Sequence, residues 1–141
     1  MKSFQDFLKG RLHKSATVAV FNNNKLLLLR RSSTAPWMPL YYCLTGGGVE
    51  EGETPEDAAS REMIEEIGLD IPPYELKKVQ TRVEDDYVNF VHATVVDNPK
   101  IRLNFEHDKY EWCDYEDCKK LNLVPNLDII IDNLKNKGYF G

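Results

Sequence analysis

Apolar positions along the chain fall into short runs of two periods, and the change between them separates strands from helices. Residues 16–21 (ATVAVF) are rich in strand formers, three asparagines follow at 22–24, and 25–29 (KLLLL) is almost wholly apolar. Asparagine tolerates turn conformations, so this stretch predicts a β-hairpin. Arg30 and Arg31 end its second strand abruptly. Residues 32–40 carry Pro36, Trp37 and Pro39 and predict a loop able to line a pocket, before residues 41–44 offer a short strand leading to Gly46, Gly47 and Gly48.

The helical period takes over at Thr54. Thr54 suits an N-cap, Pro55 the first helical position and Asp57 the closing residue of a capping box, so 54–67 is predicted to be helical. Ala59, Met63 and Ile67 recur every four residues and form a core-facing stripe. Pro72 and Pro73 break the pattern, and residues 74–83 and 87–96 predict two strands joined through Glu84-Asp85-Asp86. A further strand is expected near 109–113, a helix from about Asp114, and a last helix after Pro125-Asn126 with Leu127, Ile130, Ile131 and Leu134 on one face. Phe4, Phe7, Leu8 and Leu12 suggest a short amphipathic helix or arm at the start. Hairpins dominate this order, which fits an α+β domain better than a doubly wound parallel sheet.

Composition narrows the picture. The 141 residues, 42% hydrophobic, suit a single domain over 1–141 with one sizeable core. A formal net charge of −5 argues against a basic nucleic-acid groove and requires metal or local Lys and Arg for an anionic substrate to approach. Cys43, Cys113 and Cys118 lack the paired close spacing of a zinc site and read as free thiols of a reducing compartment. The start of the chain carries no continuous apolar h-region and no run reaches the length of a membrane span, so a cytoplasmic protein is expected.

The chemistry concentrates between Gly46 and Leu69. Glu62, Glu65 and Glu66 stand three and four apart on a helix face other than the core stripe, where like charges repel unless a cation joins them. Carboxylate oxygens without adjacent His or Cys suit Mg²⁺ or Mn²⁺. In isolation such a cluster would read as a solvated helical face. The preceding glycines change that reading, because Gly46, Gly47 and Gly48 permit positive φ and close approach of a ligand, Gly52 permits the return into the helix, and a rigid loop can thus face the carboxylates.

Gly47, Glu53, Arg61, Glu62, Met63, Glu65, Glu66, Gly68 and Leu69 occupy every fixed position of a Gly-x5-Glu-x7-Arg-Glu-apolar-x-Glu-Glu-x-Gly-apolar pattern. In this the chain resembles the Nudix hydrolases. The resemblance implies an α/β/α sandwich around a mixed sheet. It further implies that Glu62, Glu65 and Glu66 hold divalent metal with a backbone carbonyl at Gly46 or Gly47, and that Glu53 pairs with Arg61 to orient the glutamates. Thr45 stands where members of the family usually carry a proline.

The implied reaction is attack of water on phosphorus within a diphosphate of a nucleoside diphosphate linked to another group, including a nucleoside triphosphate or dinucleoside polyphosphate. The general base is open between Glu65 and Glu106; the latter, six residues before Trp112, resembles an additional metal-binding or catalytic glutamate of some members. His107 beside it could be a base or a substrate contact, but a lone loop histidine is more often neither. Arg30, at a strand end, is the expected phosphate contact, and the position of Tyr87 resembles that of a base-stacking tyrosine in dinucleoside polyphosphate hydrolases. Trp37, Tyr41 and Tyr42 are further stacking candidates. The alternative function is a module that binds a nucleotide or ADP-ribose without cleaving it, a reading that the complete acid set disfavours. RNA cap removal lacks a basic tract. The exposed faces of several strands are compatible with a homodimer.

Overall fold

A computed structural model describes residues 13–84 and 86–141. The expected amphipathic segment around Phe4, Phe7, Leu8 and Leu12 lies outside the described residues. Strands β1 (His13–Asn22) and β2 (Lys25–Arg31) form the first hairpin, with Asn22 opposite Lys25. Asn23 and Asn24 connect them with φ of 53° and 62°, the left-handed pair that matches the right-handed twist of a two-residue hairpin. Short β3 (Tyr42–Cys43) and β4 (Thr45–Gly48) follow, then α1 (Pro55–Ile67), β5 (Lys77–Glu84), β6 (Tyr87–Val95), β7 (His107–Cys113), α2 (Tyr115–Cys118) and α3 (Leu127–Asn136).

The sheet is mixed. Its main path runs β3-β2-β1-β6-β5, with β4 added to β1 and β7 to β2. Strand β1 is parallel to β6, while the remaining pairings are antiparallel. Alternation along β2 explains its unbroken apolar run: Leu27 and Leu29 pack with Ala58, Ala59, Met63 and Ile67 of α1, whereas Leu26 and Leu28 pack with Leu127, Ile130, Ile131 and Leu134 of α3. A strand covered on both faces carries no polar side. Each buried leucine contributes about 1.5–3 kcal/mol. The α/β/α sandwich and α+β class expected from the sequence are therefore observed.

Two local expectations need correction. Gly46, Gly47 and Gly48 are not a loop; they lie in β4, paired with Thr17, Ala16 and Ser15 of β1. Among them the need for glycine is steric. A Cβ on Gly46 would collide with the Ala16 carbonyl oxygen, and one on Gly47 would stand 2.5 Å from Glu62 Oε1. Positive φ is found at Gly46 (157°), as expected, and also at Gly52 (86°) and at the helix-ending Gly68 (72°). The strand expected from residue 74 begins at Lys77, because Pro73–Glu75 forms a single 3₁₀ turn.

Candidate functional site

Helix α1 starts as its sequence dictates. Thr54 Oγ1 accepts from the Asp57 amide at 3.0 Å, and the Asp57 carboxylate accepts from the Thr54 amide at 3.1 Å. With Ala59, Met63 and Ile67 fully buried, the helix is locked in rotation. Glu62 and Glu66 are thereby directed towards β4.

Glu66 is only 4% exposed. Its Oε1 accepts from Thr45 Oγ1 at 2.7 Å and from the Gly46 amide at 2.8 Å. Burial pushes its carboxyl up to about 8, opposed by these two donors and reinforced by Glu106 and Glu62. Thr45, at the position usually held by proline, thus supplies a hydrogen bond that proline could not.

Arg61 ties the remaining acids together. It donates Nε to Glu53 Oε2 at 2.9 Å, Nη2 to Glu53 Oε1 at 3.0 Å, Nη1 to Glu62 Oε1 at 2.9 Å and Nη2 to the Gly48 carbonyl at 3.1 Å. Helix α1, the turn before it and strand β4 are joined by one guanidinium, which holds the Glu53 carboxyl below its ordinary value. Burial raises the Glu62 carboxyl, with Arg61 acting against it. Glu65 is half exposed and lies 3.6 Å from Arg61 Nη1.

Two cavities meet at β4. One is lined by Arg31, Ser32, Pro36, Gly47, Glu62, Glu66, Phe105 and Glu106. Its neighbour, about 230 Å³, lies towards α3. Arg31, Gly46, Gly47 and Glu66 line both. In the second cavity Ser15, Thr17, Tyr87 and Asn89 form a polar wall, while Leu44, Val124, Pro125, Leu127 and Ile130 form an apolar one. Ser15 Oγ lies 2.8 Å from Tyr87 Oη and 3.1 Å from Asn89 Oδ1. Ring-shaped ligands suit such a pocket, with faces against the apolar wall and edges bonded to the polar one.

Of the residues singled out in the sequence, Glu62, Glu66, Glu106, Gly46, Gly47 and Tyr87 line these cavities, and Glu53 and Arg61 support them. Glu65 lines neither cavity. Arg30 forms a two-point pair with Asp108, Nε to Oδ1 at 2.8 Å and Nη2 to Oδ2 at 3.2 Å, and lies outside both cavities. Strand alternation places the next residue, Arg31, at the site. There Arg31 Nε donates to the Trp37 carbonyl at 2.6 Å and its guanidinium lies 5.3 Å from the Trp37 ring centroid. Trp37 lines the second cavity, whereas Tyr42 is buried in the core.

Ser15, Thr17 and Asn89 escaped the sequence reading. Their signal was available: they are polar residues on the same sheet face as Phe21 and Val91, where the period-2 pattern calls for apolar ones. His107 was set aside as a loop residue, yet it is 5% exposed on β7, and burial lowers its basicity.

Carboxylate oxygens of Glu66 and Glu106 and a ring nitrogen of His107 lie within 4.8 Å of one another. A buried carboxylate beside a second acid, with Glu62 adjoining, is a donor set that a small divalent cation fits, because its charge offsets the desolvation and repulsion.

Comparison with known proteins agrees with this geometry. The chain matches the NUDIX domain over residues 11–134. It belongs to the Nudix family. The nucleoside triphosphatase NudI of Klebsiella pneumoniae is 31% identical over 115 residues, which cover 72% of this Nudix chain and 82% of that protein. A prenyl-diphosphate phosphatase of Methanosarcina mazei is 30% identical over 81 residues, 56% of this chain, and the match spans only 48% of that protein. The crystal structure of a MutT protein from Methanosarcina mazei Go1 shares the fold with a TM-score of 0.76 at 23% identity, covering 89% of this chain and 94% of that one. Membership of the family and the hydrolase names of these relatives support a pyrophosphohydrolase.

Proposed function

We propose that this Nudix chain is a Mg²⁺- or Mn²⁺-dependent hydrolase of the diphosphate bond in a nucleoside diphosphate linked to another group, with nucleoside triphosphates as the first substrates to test. The observation that carries this reading is the meeting of Glu62, Glu66, Glu106 and Arg31 at one cavity, opening through Gly46 and Gly47 to a second cavity with one polar and one apolar wall. The 31% identity to a nucleoside triphosphatase over most of both chains supports the same substrate class.

Each residue has a part in that reading. Glu62, Glu65 and Glu66, with the backbone at Gly46 or Gly47, hold the cation, and Glu106 adds a carboxylate as further ligand or proton acceptor. When bound, the cation neutralises phosphate oxygens and makes water a stronger nucleophile near neutral pH. Arg31 meets the phosphates from the opposite wall. Tyr87 and Asn89 face the base, whose ring rests on Leu127 and Ile130. Water attacks phosphorus, its proton passes to a carboxylate, and the products are a nucleotide and a phosphorylated remainder.

We read residues 1–141 as a single domain. No helix among the described residues is long and apolar enough to cross a membrane. A cytoplasmic setting is our reading of the free thiols at Cys43, Cys113 and Cys118.

A panel of nucleoside triphosphates, dinucleoside polyphosphates and nucleoside diphosphate sugars, incubated with Mg²⁺, tests the proposal. Cleavage of a panel member to a nucleotide and a phosphorylated product is expected. Tight binding of a nucleotide or ADP-ribose without cleavage would overturn it in favour of a non-catalytic binding module.

A further inference from the structure

The assignments above use oxygen ligands alone and leave His107 without a role. Its ring is 5% exposed, its Nδ1 has no hydrogen-bond partner, and its Nε2 lies 3.4 Å from the Cys43 thiol. Buried polar atoms without partners are rare because their desolvation is uncompensated. A missing ligand is one explanation. The position of the ring favours it, since one of its nitrogens lies within 4.8 Å of carboxylate oxygens of both Glu66 and Glu106.

His92, the other buried histidine, makes the contrast. It faces Glu56 at 3.7 Å and belongs to no such group among the described residues.

We propose that His107 supplies a nitrogen ligand to a divalent cation held with Glu66 and Glu106, forming a mixed nitrogen–oxygen site that favours Mn²⁺ over Mg²⁺. The proposal rests on the metal-dependent reading above and adds to it a ligand and a metal preference. The chemistry is that of the donor set: Mg²⁺ takes oxygen ligands and keeps much of its water, whereas imidazole nitrogen suits the first-row transition ions. Glu106, in the turn that leads into β7, is exposed and His107, the first residue of β7, is buried, so consecutive residues reach the same ion from the solvent side and from the core side.

The test loads the purified, nucleotide-free protein with Mn²⁺ and measures pulsed electron paramagnetic resonance. A ¹⁴N coupling on bound Mn²⁺ is expected in the wild-type protein, to be lost in His107→Gln. The preference for Mn²⁺ over Mg²⁺, read by competition, should fall about tenfold in that variant. If His107→Gln does not fold, wild-type protein grown with ¹⁵N-histidine decides instead, and the coupling must change to that of ¹⁵N. Saturable Mn²⁺ binding without nitrogen coupling, coupling that survives in His107→Gln or ignores the label, or no saturable Mn²⁺ binding would overturn the proposal. A protein that cleaves the nucleotide panel without nitrogen coupling loses only this ligand. One that shows the coupling but cleaves nothing loses the proposed activity instead.

Discussion

Arg61 grips the Glu53 carboxylate at two points, Nε to Oε2 at 2.9 Å and Nη2 to Oε1 at 3.0 Å, and so joins the turn before α1 to the helix that carries the acids. The same guanidinium holds Glu62 and the Gly48 carbonyl. Arginine's planar fork is what makes four bonds available from one side chain; lysine offers a point charge without that geometry. Arg61→Lys should therefore lower kcat about 10–100-fold with little change in thermal midpoint. Steady-state kinetics and a melt on the same preparation check this, and a parallel loss of fold would assign Arg61 to stability instead.

Neighbouring glycines predict opposite failures. At Gly47 a Cβ meets the movable end of Glu62, while at Gly46 it meets the backbone of Ala16 and Thr17. Gly47→Ala should fold normally but displace Glu62, at a cost on the order of 100-fold in rate. Gly46→Ala should destabilise the protein by about 1–3 kcal/mol. Denaturant melts of the two variants separate the effects, and equal stability would contradict the packing of β4 on β1.

The two arginines at the end of β2 separate just as clearly. Arg30 is already neutralised by Asp108, whereas Arg31 lines both cavities. Arg30→Ala should leave kcat/KM within about threefold, while Arg31→Ala should lower it by about 1.5–3 kcal/mol in transition-state binding, the worth of a charge-assisted hydrogen bond. Kinetics on the best substrate of the panel check the pair, and the reverse order would restore Arg30 as the phosphate contact.

Acid–base behaviour gives a test independent of turnover. Burial holds the Glu66 carboxyl at about 8, above its ordinary 4.5. Folding therefore favours the protonated form, and this stabilising contribution is full below 4.5 and is lost as pH rises through about 8. The metal-free protein should lose thermal stability between about pH 5 and pH 8.5. Glu66→Gln should flatten that slope, since glutamine still accepts from Thr45 and Gly46, and Mg²⁺ should restore wild-type stability at the alkaline end by binding the ionised form. Identical slopes for the two proteins would contradict this account of Glu66.

How far the sequence anticipated the structure depends on the kind of interaction. Helix α1, its cap and its buried stripe were legible because capping and amphipathic spacing are local. The acids were legible for the same reason, as residues three and four apart must share a face. What escaped depends on pairing between distant segments. Gly46–Gly48 read as loop because glycines carry no strand propensity, and only their register on β1 makes them a strand. Arg30 was preferred to Arg31 because sequence alone does not say which face of β2 meets the site. Thr45, noted in sequence only as a departure from proline, is a donor to Glu66 across 21 positions.

The central claim is that Glu66 helps hold the cation for diphosphate cleavage, and the direct measurement is turnover of the nucleotide panel with Mg²⁺ by wild-type protein and Glu66→Gln. Wild-type protein should release a nucleotide and a phosphorylated product, and the folded Glu66→Gln variant should be slower by at least about 100-fold. Unchanged turnover in Glu66→Gln would contradict that claim.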